Sequence, residues 1–113
     1  MPDGAYYLAG YAAECGLKAC IAKQTKKHDF PDKDTVNKSY THDLTQLLKI
    51  AGLETRFDKD ARGNPHLEVN WSIVKDWSEN SRYQRISERE ARDLLSAISD
   101  TKAGILVWLK QHW

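Results

Sequence analysis

Six side chains in three short stretches are the candidates for binding a ligand: Glu14, Lys18, His42, Asp43, Arg82 and Tyr83. Glu14 and Lys18 lie four residues apart in a stretch that is otherwise nearly free of charge. Glu before Lys at this spacing is the favourable order for an ion pair on a helix. Such a pair fits a solvent-facing stripe, or it lines a cleft or the seam of a dimer, and these alternatives stay open.

The stretch from Trp77 to Arg85 combines indole, guanidinium and phenol groups. Arginine and aromatic side chains together suit the recognition of phosphates and bases. The alternative is a turn between helices, in which Tyr83 packs on the core and Arg82 binds a carboxylate or a helix C-terminus. His42 and Asp43 carry the same ambiguity, because polar residues at the start of a helix are often caps.

The motifs of common enzyme classes are absent from the sequence. It has no glycine-rich phosphate loop, no Cys-x-x-Cys, no His-Glu-x-x-His and no nucleophile elbow. A metal site needs several donors at short spacing or brought together by the fold. The four histidines are scattered along the chain: His28, His42, His66 and His112. We therefore expect no metal and no cofactor.

Length and charge restrict the class of protein. A chain of 113 residues is expected to form a single domain, 1–113, with its own core. Its net charge of +1 argues against a dedicated duplex-DNA binder. The sequence shows no signal peptide, and its first helix is too rich in Ala, Gly and Tyr to cross a membrane. A cytoplasmic protein with no membrane association is expected.

The elements that must position the candidates begin with the stretch from Tyr6 to Ala22. Its alanine-rich composition predicts a helix, capped by Asp3 and ending at about Lys27. Small and apolar side chains cover nearly its whole circumference, and one narrow stripe with Glu14 and Lys18 is polar. A helix that is apolar almost all round is normally buried on several sides, so this one should be central.

Cys15 and Cys20 lie on this helix, five residues apart. Their Cα atoms would be about 8 Å apart, too far for a disulfide. Both are therefore expected to be small core residues in a reducing compartment.

The second helix follows a predicted loop at 28–40, from which Phe30 and Tyr40 should pack back onto the core. Thr41 is its expected N-cap, with Asp43 in the first turn, and Gly52 is its expected stop. The polar segment 53–64 is expected to be a loop or a frayed helical turn.

Two more helices complete the predicted fold. Asn64 and Pro65 start the third helix, whose core positions are Leu67, Trp71, Val74 and Trp77. Residues 78–83 should form a turn. A capping box from Ser87 to Glu90 starts the fourth helix, which is expected to reach the C-terminus with a mild kink at Gly104. The predicted fold is all-α, an up-down bundle of four main helices with antiparallel neighbours.

Residues 7–19 resemble the opening signature of HEPN domains, the "higher eukaryotes and prokaryotes nucleotide-binding" family. The usual form of that signature is Ala-Gly-Tyr-Ala-x-Glu-x-x-Leu-Lys, which the chain matches from Ala9 to Lys18. The run from Thr41 to Leu48 resembles the family's second motif. Residues 77–83 and 107–110 are similar to a prokaryotic branch, so the resemblance covers essentially the whole chain.

This resemblance implies a helical bundle that commonly forms homodimers. Family members are often encoded beside a small nucleotidyltransferase, in arrangements like toxin–antitoxin pairs. Many are metal-independent ribonucleases, in which an Arg followed after four to six residues by a His forms a composite site across the dimer.

The ribonuclease motif is absent from this chain as the family writes it. Nine residues separate Arg56 from His66, and three separate Arg62 from His66. We therefore expect a non-catalytic module that binds a nucleotide, RNA or a partner protein. The alternatives are a ribonuclease with a displaced motif, or a structural helical protein without a ligand. In a displaced motif, Arg62, His66 or Arg82, and His42 would converge across the dimer.

A second departure from the resemblance concerns the first helix. Relatives usually carry a further helix before it, whereas this chain starts almost at that helix. The missing neighbour would leave an apolar surface of the kind that marks an association site. A homodimer or a tight hetero-complex is therefore expected.

Overall fold

The computed structural model describes residues 2–27 and 41–113, without the side chains of residues 25–27 and of Arg82. The predicted loop at 28–40, including Phe30 and Tyr40, lies outside this description. The described residues contain helices and no strand. They are α1 (Pro2–Lys27), α2 (Leu44–Ile50), α3 (Glu54–Arg62), α4 (Pro65–Val74), a 3₁₀ helix η1 (Glu79–Tyr83), α5 (Glu88–Ser99) and α6 (Ile105–Lys110). The all-α bundle predicted from the sequence is confirmed.

Helix α1 is the central element, as predicted, and packs against α2, η1, α5 and α6. Its first turn lies beside the start of α5, because the backbone N–H of Ile86 donates to Asp3 Oδ1 at 2.7 Å. Its second half lies beside α6, where the Cys20 thiol is 3.8 Å from the Leu109 carbonyl oxygen. The prediction that Asp3 caps α1 was wrong: the helix begins at Pro2. The Asp3 carboxylate instead holds a distant segment.

The signals for the start and end of α2 are local. The N-cap is Asp43, whose carboxylate accepts from the backbone N–H groups of Thr45 and Gln46. The expected cap, Thr41, accepts instead from the backbone N–H of Asp43 at 3.2 Å. Gly52 ends this segment as predicted, with a φ of +71° that few other residues adopt.

Residues 54–62 form a regular helix, so a loop here was the wrong expectation. Phe57 and Ala61 are buried on one side of α3. The Phe57 ring packs edge-on against Trp108, with 5.1 Å between ring centroids. On the other side, Arg56 Nε lies 3.2 Å from Asp60 Oδ2, one helical turn away. Two apolar residues thus anchor helix α3 to the core, and no side-chain hydrogen bond caps its N-terminus.

The starts of α4 and α5 are as predicted. The Asn64 side chain accepts from the Leu67 N–H, and Ser87 and Glu90 form a reciprocal capping box. Helix α4 ends at Val74, so Trp77 belongs to the segment that follows it. Core positions Leu67 and Val74 are buried as expected.

The expected single C-terminal helix is divided into α5 and α6. Gly104 is the N-cap of α6. A Cβ on Gly104 would lie 2.3 Å from the Asp100 carbonyl oxygen, so the chain folds tightly on itself between the two helices. The glycine marks a full break with a change of direction and not a mild kink.

His112, near the end of the chain, should make the stability of the fold sensitive to acid. Its ring packs at a tilt against Trp108, with 4.4 Å between ring centroids. Burial, followed by the nearby Arg56 charge, lowers the pKa of His112 below 6.5. A lowered pKa means that the unfolded chain takes up the proton first, so the free energy of unfolding should fall as the pH drops below about 6.5. We expect His112→Gln to lose less stability than the native chain between pH 7 and 5.5, measured by urea denaturation. Equal losses in the two proteins would contradict this role.

Within the described ranges, no helix combines the length and the apolar character that a bilayer crossing requires.

Candidate functional site

The orientation of helix α1 does not place Glu14 on a solvent-facing stripe. The Glu14 side chain is only 2% exposed, whereas Leu8 is 64% exposed. Tyr11 and Cys15 also face outward, so the expectation that both cysteines are core residues was wrong for Cys15. The charged pair therefore points into the protein, and an apolar face of the helix points to solvent.

Four side chains form a chain of ion pairs that we call the Glu14 cluster: Glu14, Lys18, His42 and Glu79. Lys18 Nζ lies 3.4 Å from Glu14 Oε2, and His42 Nδ1 lies 2.9 Å from Glu14 Oε1. His42 Nε2 lies in turn 3.1 Å from Glu79 Oε2. Both oxygens of the buried carboxylate are thus satisfied, which compensates the cost of burying its charge.

The His42 ring bridges two carboxylates, one buried and one half-buried. A neutral imidazole has a single N–H and can donate to only one of them, while the doubly protonated ring donates to both. Glu14 is the fixed partner, since it is held on a long helix and buried. Whether Nε2 of the ring carries a proton therefore decides whether His42 can donate a hydrogen bond to Glu79.

An open cleft of about 620 Å³ lies on the outer side of His42. Its walls come from the start of α2, the end of α4 and η1. Among the described residues, three carboxylates and one lysine line it, so this part of the lining is predominantly negative. The lining residues are His42, Asp43, Thr45, Lys75, Asp76, Trp77, Ser78, Glu79 and Asn80. We call this the His42 cleft.

Trp77 forms one wall of the His42 cleft and is 98% buried, since its exposed fraction is 2%. Its indole ring lies directly on Gly10 of α1, where a Cβ would come within 2.3 Å of three ring atoms. The Tyr7 ring packs against it, with 5.9 Å between centroids. The buried indole N–H has no acceptor among the described residues.

The structure brings together four of the six predicted ligand-binding residues. Glu14, Lys18 and His42 form one cluster, and His42 and Asp43 line the cleft beside it. Tyr83, the other residue with a described side chain, is 76% exposed at the end of η1 and does not line the cleft. The Arg82 side chain is outside the description, although its backbone belongs to η1.

His66 and His42, two of the residues proposed for a displaced ribonuclease motif, lie apart within one subunit. His66 lies in the first turn of α4, whereas His42 shares the cleft with Lys75 beyond its end. Lys75 is nine positions after His66, roughly 14 Å along a helix. Arg62, at the end of α3, lines a different hollow that also contains Lys75.

The sequence predictions missed the acidic contribution of the 77–85 stretch. Glu79 pairs with His42, and Asp76 lines the same cleft. Both residues lie close to Trp77 in the sequence, but the prediction for that stretch was based on its indole, guanidinium and phenol groups. A signal was present in the spacing, because Asp76 and Glu79 are three residues apart at a helix end.

The outward face of α1 is apolar over most of its length. Its exposed members recur every three or four residues and carry no charge: Ala5, Leu8, Tyr11, Cys15, Ala19 and Ala22. They span 18 residues, and the first and last lie roughly 26 Å apart along the helix. We call this the α1 outer face.

Among the described residues, no group of three or more His, Cys, Asp or Glu side chains is arranged to hold a metal ion.

No family model, no curated protein and no solved structure matches the chain. Function is accordingly inferred from the Glu14 cluster, the His42 cleft and the α1 outer face.

Proposed function

We propose that the chain is a non-catalytic, protein-binding module of the HEPN type, which associates with a second copy of itself through the α1 outer face. The observation that carries this proposal is the exposure of Leu8, at 64%, within an uncharged face that follows the whole helix. Single exposed apolar residues are common, but a continuous apolar face marks an association surface. The motif resemblance at Ala9–Lys18 lies on the same helix.

The sizes of the side chains along this face favour a second copy that packs in an antiparallel orientation. The large residues, Leu8 and Tyr11, lie in the first half, and the small residues, Cys15 and Ala19, lie in the second. A two-fold axis between residues 13 and 14 places Leu8 opposite Ala19, and Tyr11 one residue from the position opposite Cys15. Each large side chain then meets a small one, as an isologous interface requires. A parallel pair would place large residues against each other.

The charge of the His42 cleft supports a protein partner over a nucleotide or RNA. Its described lining has three carboxylates and one lysine, an arrangement that repels phosphate. A nucleotidyltransferase companion, implied by the resemblance, would compete for the α1 outer face.

Leu8→Glu is expected to convert the dimer into a monomer. The face is short, so we expect a dissociation constant in the micromolar range, and a buried pair of carboxylates should weaken it at least about 100-fold. The measurement is sedimentation equilibrium between 5 and 500 µM protein. The matched control is Leu95→Glu on α5, which also replaces an exposed leucine, at 52%, but lies off the α1 face.

The position of Cys15 provides an independent test of the antiparallel arrangement. The two Cys15 Cα atoms would lie roughly 10 Å apart across the two-fold axis. A short bis-maleimide should therefore join two native chains and fail to join Leu8→Glu chains. Cys20 should not compete, because it is buried and burial raises the pKa of its thiol. A native chain that stays monomeric at 500 µM would overturn the proposal.

A further inference from the structure

Trp113 lies beside the α1 outer face and is 40% exposed, a large fraction for so apolar a ring. The indole covers Gly16, where an added Cβ would come 3.2 Å from its Cζ3 atom. Gly16 follows Cys15 directly and lies one helical turn before Ala19, and both of these residues belong to the α1 outer face. The indole therefore borders this face on one flank and makes the apolar surface wider there.

Several contacts hold Trp113 in this position. Its backbone N–H donates to the Leu109 carbonyl oxygen at 3.1 Å, and its own carbonyl oxygen accepts from Lys23 Nζ at 3.3 Å. The buried Leu109 side chain shares the surface of Gly16 with the indole. The ring is thus held in place within the single chain, so association would cost it little side-chain entropy.

The α1 outer face alone is small for a stable interface. A helix about 10 Å wide presents, over roughly 26 Å of its length, a footprint on the order of 300 Å². Specific interfaces bury about 800 Å² of accessible surface on each partner. A second copy must therefore contact the flanks of α1 as well, and the flank beside Gly16 carries the Trp113 indole. Aromatic rings of this size dominate the energetics of many interfaces.

The proposed two-fold axis brings the two indoles together. It lies in the interface and crosses α1 at right angles between residues 13 and 14, so each flank of one helix meets the same flank of the other. Gly16 is two and a half residues from the axis, roughly 4 Å along the helix. The Trp113 rings of the two copies would then lie on the same side, at levels about 8 Å apart, where two indoles can contact each other.

We infer that Trp113 is the anchor of the self-association surface, and that its indole packs on the partner's Trp113 across the two-fold axis. This role depends on the proposed association through the α1 outer face and adds to it the residue with the largest contribution to binding. Tryptophan is enriched among the residues that dominate binding at interfaces, because it buries a large area in a rigid side chain. The partner that fits this surface is a second copy, whose flank is identical and equally apolar.

Fluorine NMR on chains labelled with 5-fluorotryptophan tests the contact between the indoles. The chain has four tryptophans, and the Trp113 signal is the one that is missing in Trp113→Phe. On dilution from 500 µM we expect this signal to shift as the dimer dissociates, while the signals of Trp71 and Trp108 stay in place. In Leu8→Glu chains the Trp113 signal should keep its monomer position at every concentration.

Sedimentation equilibrium measures how much the ring contributes. Trp113→Ala should weaken dimerisation at least about 30-fold, and Trp113→Phe should weaken it less, because a smaller ring keeps part of the contact. The matched control is Val69→Ala on α4, which truncates an apolar side chain that is 57% exposed. It should leave the dissociation constant unchanged. Backbone amide spectra check that the variants keep the fold.

The two measurements distinguish a failure of the anchor from a failure of self-association. Suppose that the native chain dimerises but its Trp113 signal does not move on dilution, or that Trp113→Ala dimerises as tightly as the native chain. Either result would overturn the role of Trp113 and leave the association through α1 standing. A native chain that is monomeric at 500 µM would overturn both proposals. If Trp113→Ala does not keep the fold, the fluorine signal of the native sequence decides.

Discussion

Gly10→Ala is expected to lower the free energy of unfolding by about 2–3 kcal/mol, although it adds one methyl group and a better helix former. The reason is the Trp77 indole, which lies so close to Gly10 that a Cβ would come 2.2 Å from two of its ring atoms. That ring cannot move aside cheaply, because it is 2% exposed and packed against Tyr7. The change should also alter the His42 cleft, since Trp77 forms one of its walls.

Gly4→Ala is the matched control on the same helix. A Cβ at this position meets no atom within 4 Å, so the substitution should be neutral or slightly stabilising. Urea denaturation followed by circular dichroism gives both values. Adding Trp77→Leu to Gly10→Ala should cost less than the sum of the two single changes, because the clash is removed. A loss below about 0.5 kcal/mol for Gly10→Ala would show that α1 and Trp77 are not in close contact.

Glu14→Ala is expected to be the second strongly destabilising change, by about 2–3 kcal/mol. It removes a buried carboxylate that accepts from His42 and pairs with Lys18. The two partners are partly exposed, so water can hydrate them, and the loss should stay below that of a fully buried ion pair. Glu14→Gln should lose about half as much, because its amide oxygen can still accept from His42 Nδ1–H.

Glu68→Ala serves as the comparison for Glu14→Ala. Glu68 is exposed on α4, and its removal should change stability by no more than about 0.5 kcal/mol. The same samples report on the cleft, since His42 loses its fixed partner only in the Glu14 variants. If Glu14→Ala and Glu68→Ala were equally harmless, the Glu14 carboxylate would have to be hydrated in the folded protein.

The helix starts and stops that follow from neighbouring residues could be predicted from the sequence. Asn64, Ser87 with Glu90, and Gly52 act within one helical turn, so their chemistry is visible without the fold. Helix α3 was missed because it lacks such local signals. It has no side-chain cap, and its stability comes from Phe57 packing on Trp108, a residue far away in the chain.

The orientation of α1 could not be predicted, because a helical wheel shows which residues share a face but not which face is covered. A solvent-facing stripe, a cleft and a dimer seam all fit Glu14 and Lys18 in the sequence. The burial of Glu14 depends on His42, which is 28 residues away and supplies a hydrogen bond. Some residues of the candidate site could therefore be named from the sequence. Its acidic character could not, because only the fold brings Glu79 to His42.

The contacts of α1 with the end of the chain determine when this helix can be completed during synthesis. Cys20 meets Leu109 and Lys23 meets the Trp113 carbonyl oxygen, 89 and 90 residues later. A ribosome adding 5–20 residues per second needs on the order of ten seconds to deliver those partners. Throughout that interval α1 lacks its contacts with α6. Neighbouring ribosomes on one message carry identical helices in this state, which gives chaperones and nascent sister chains their opportunity to bind.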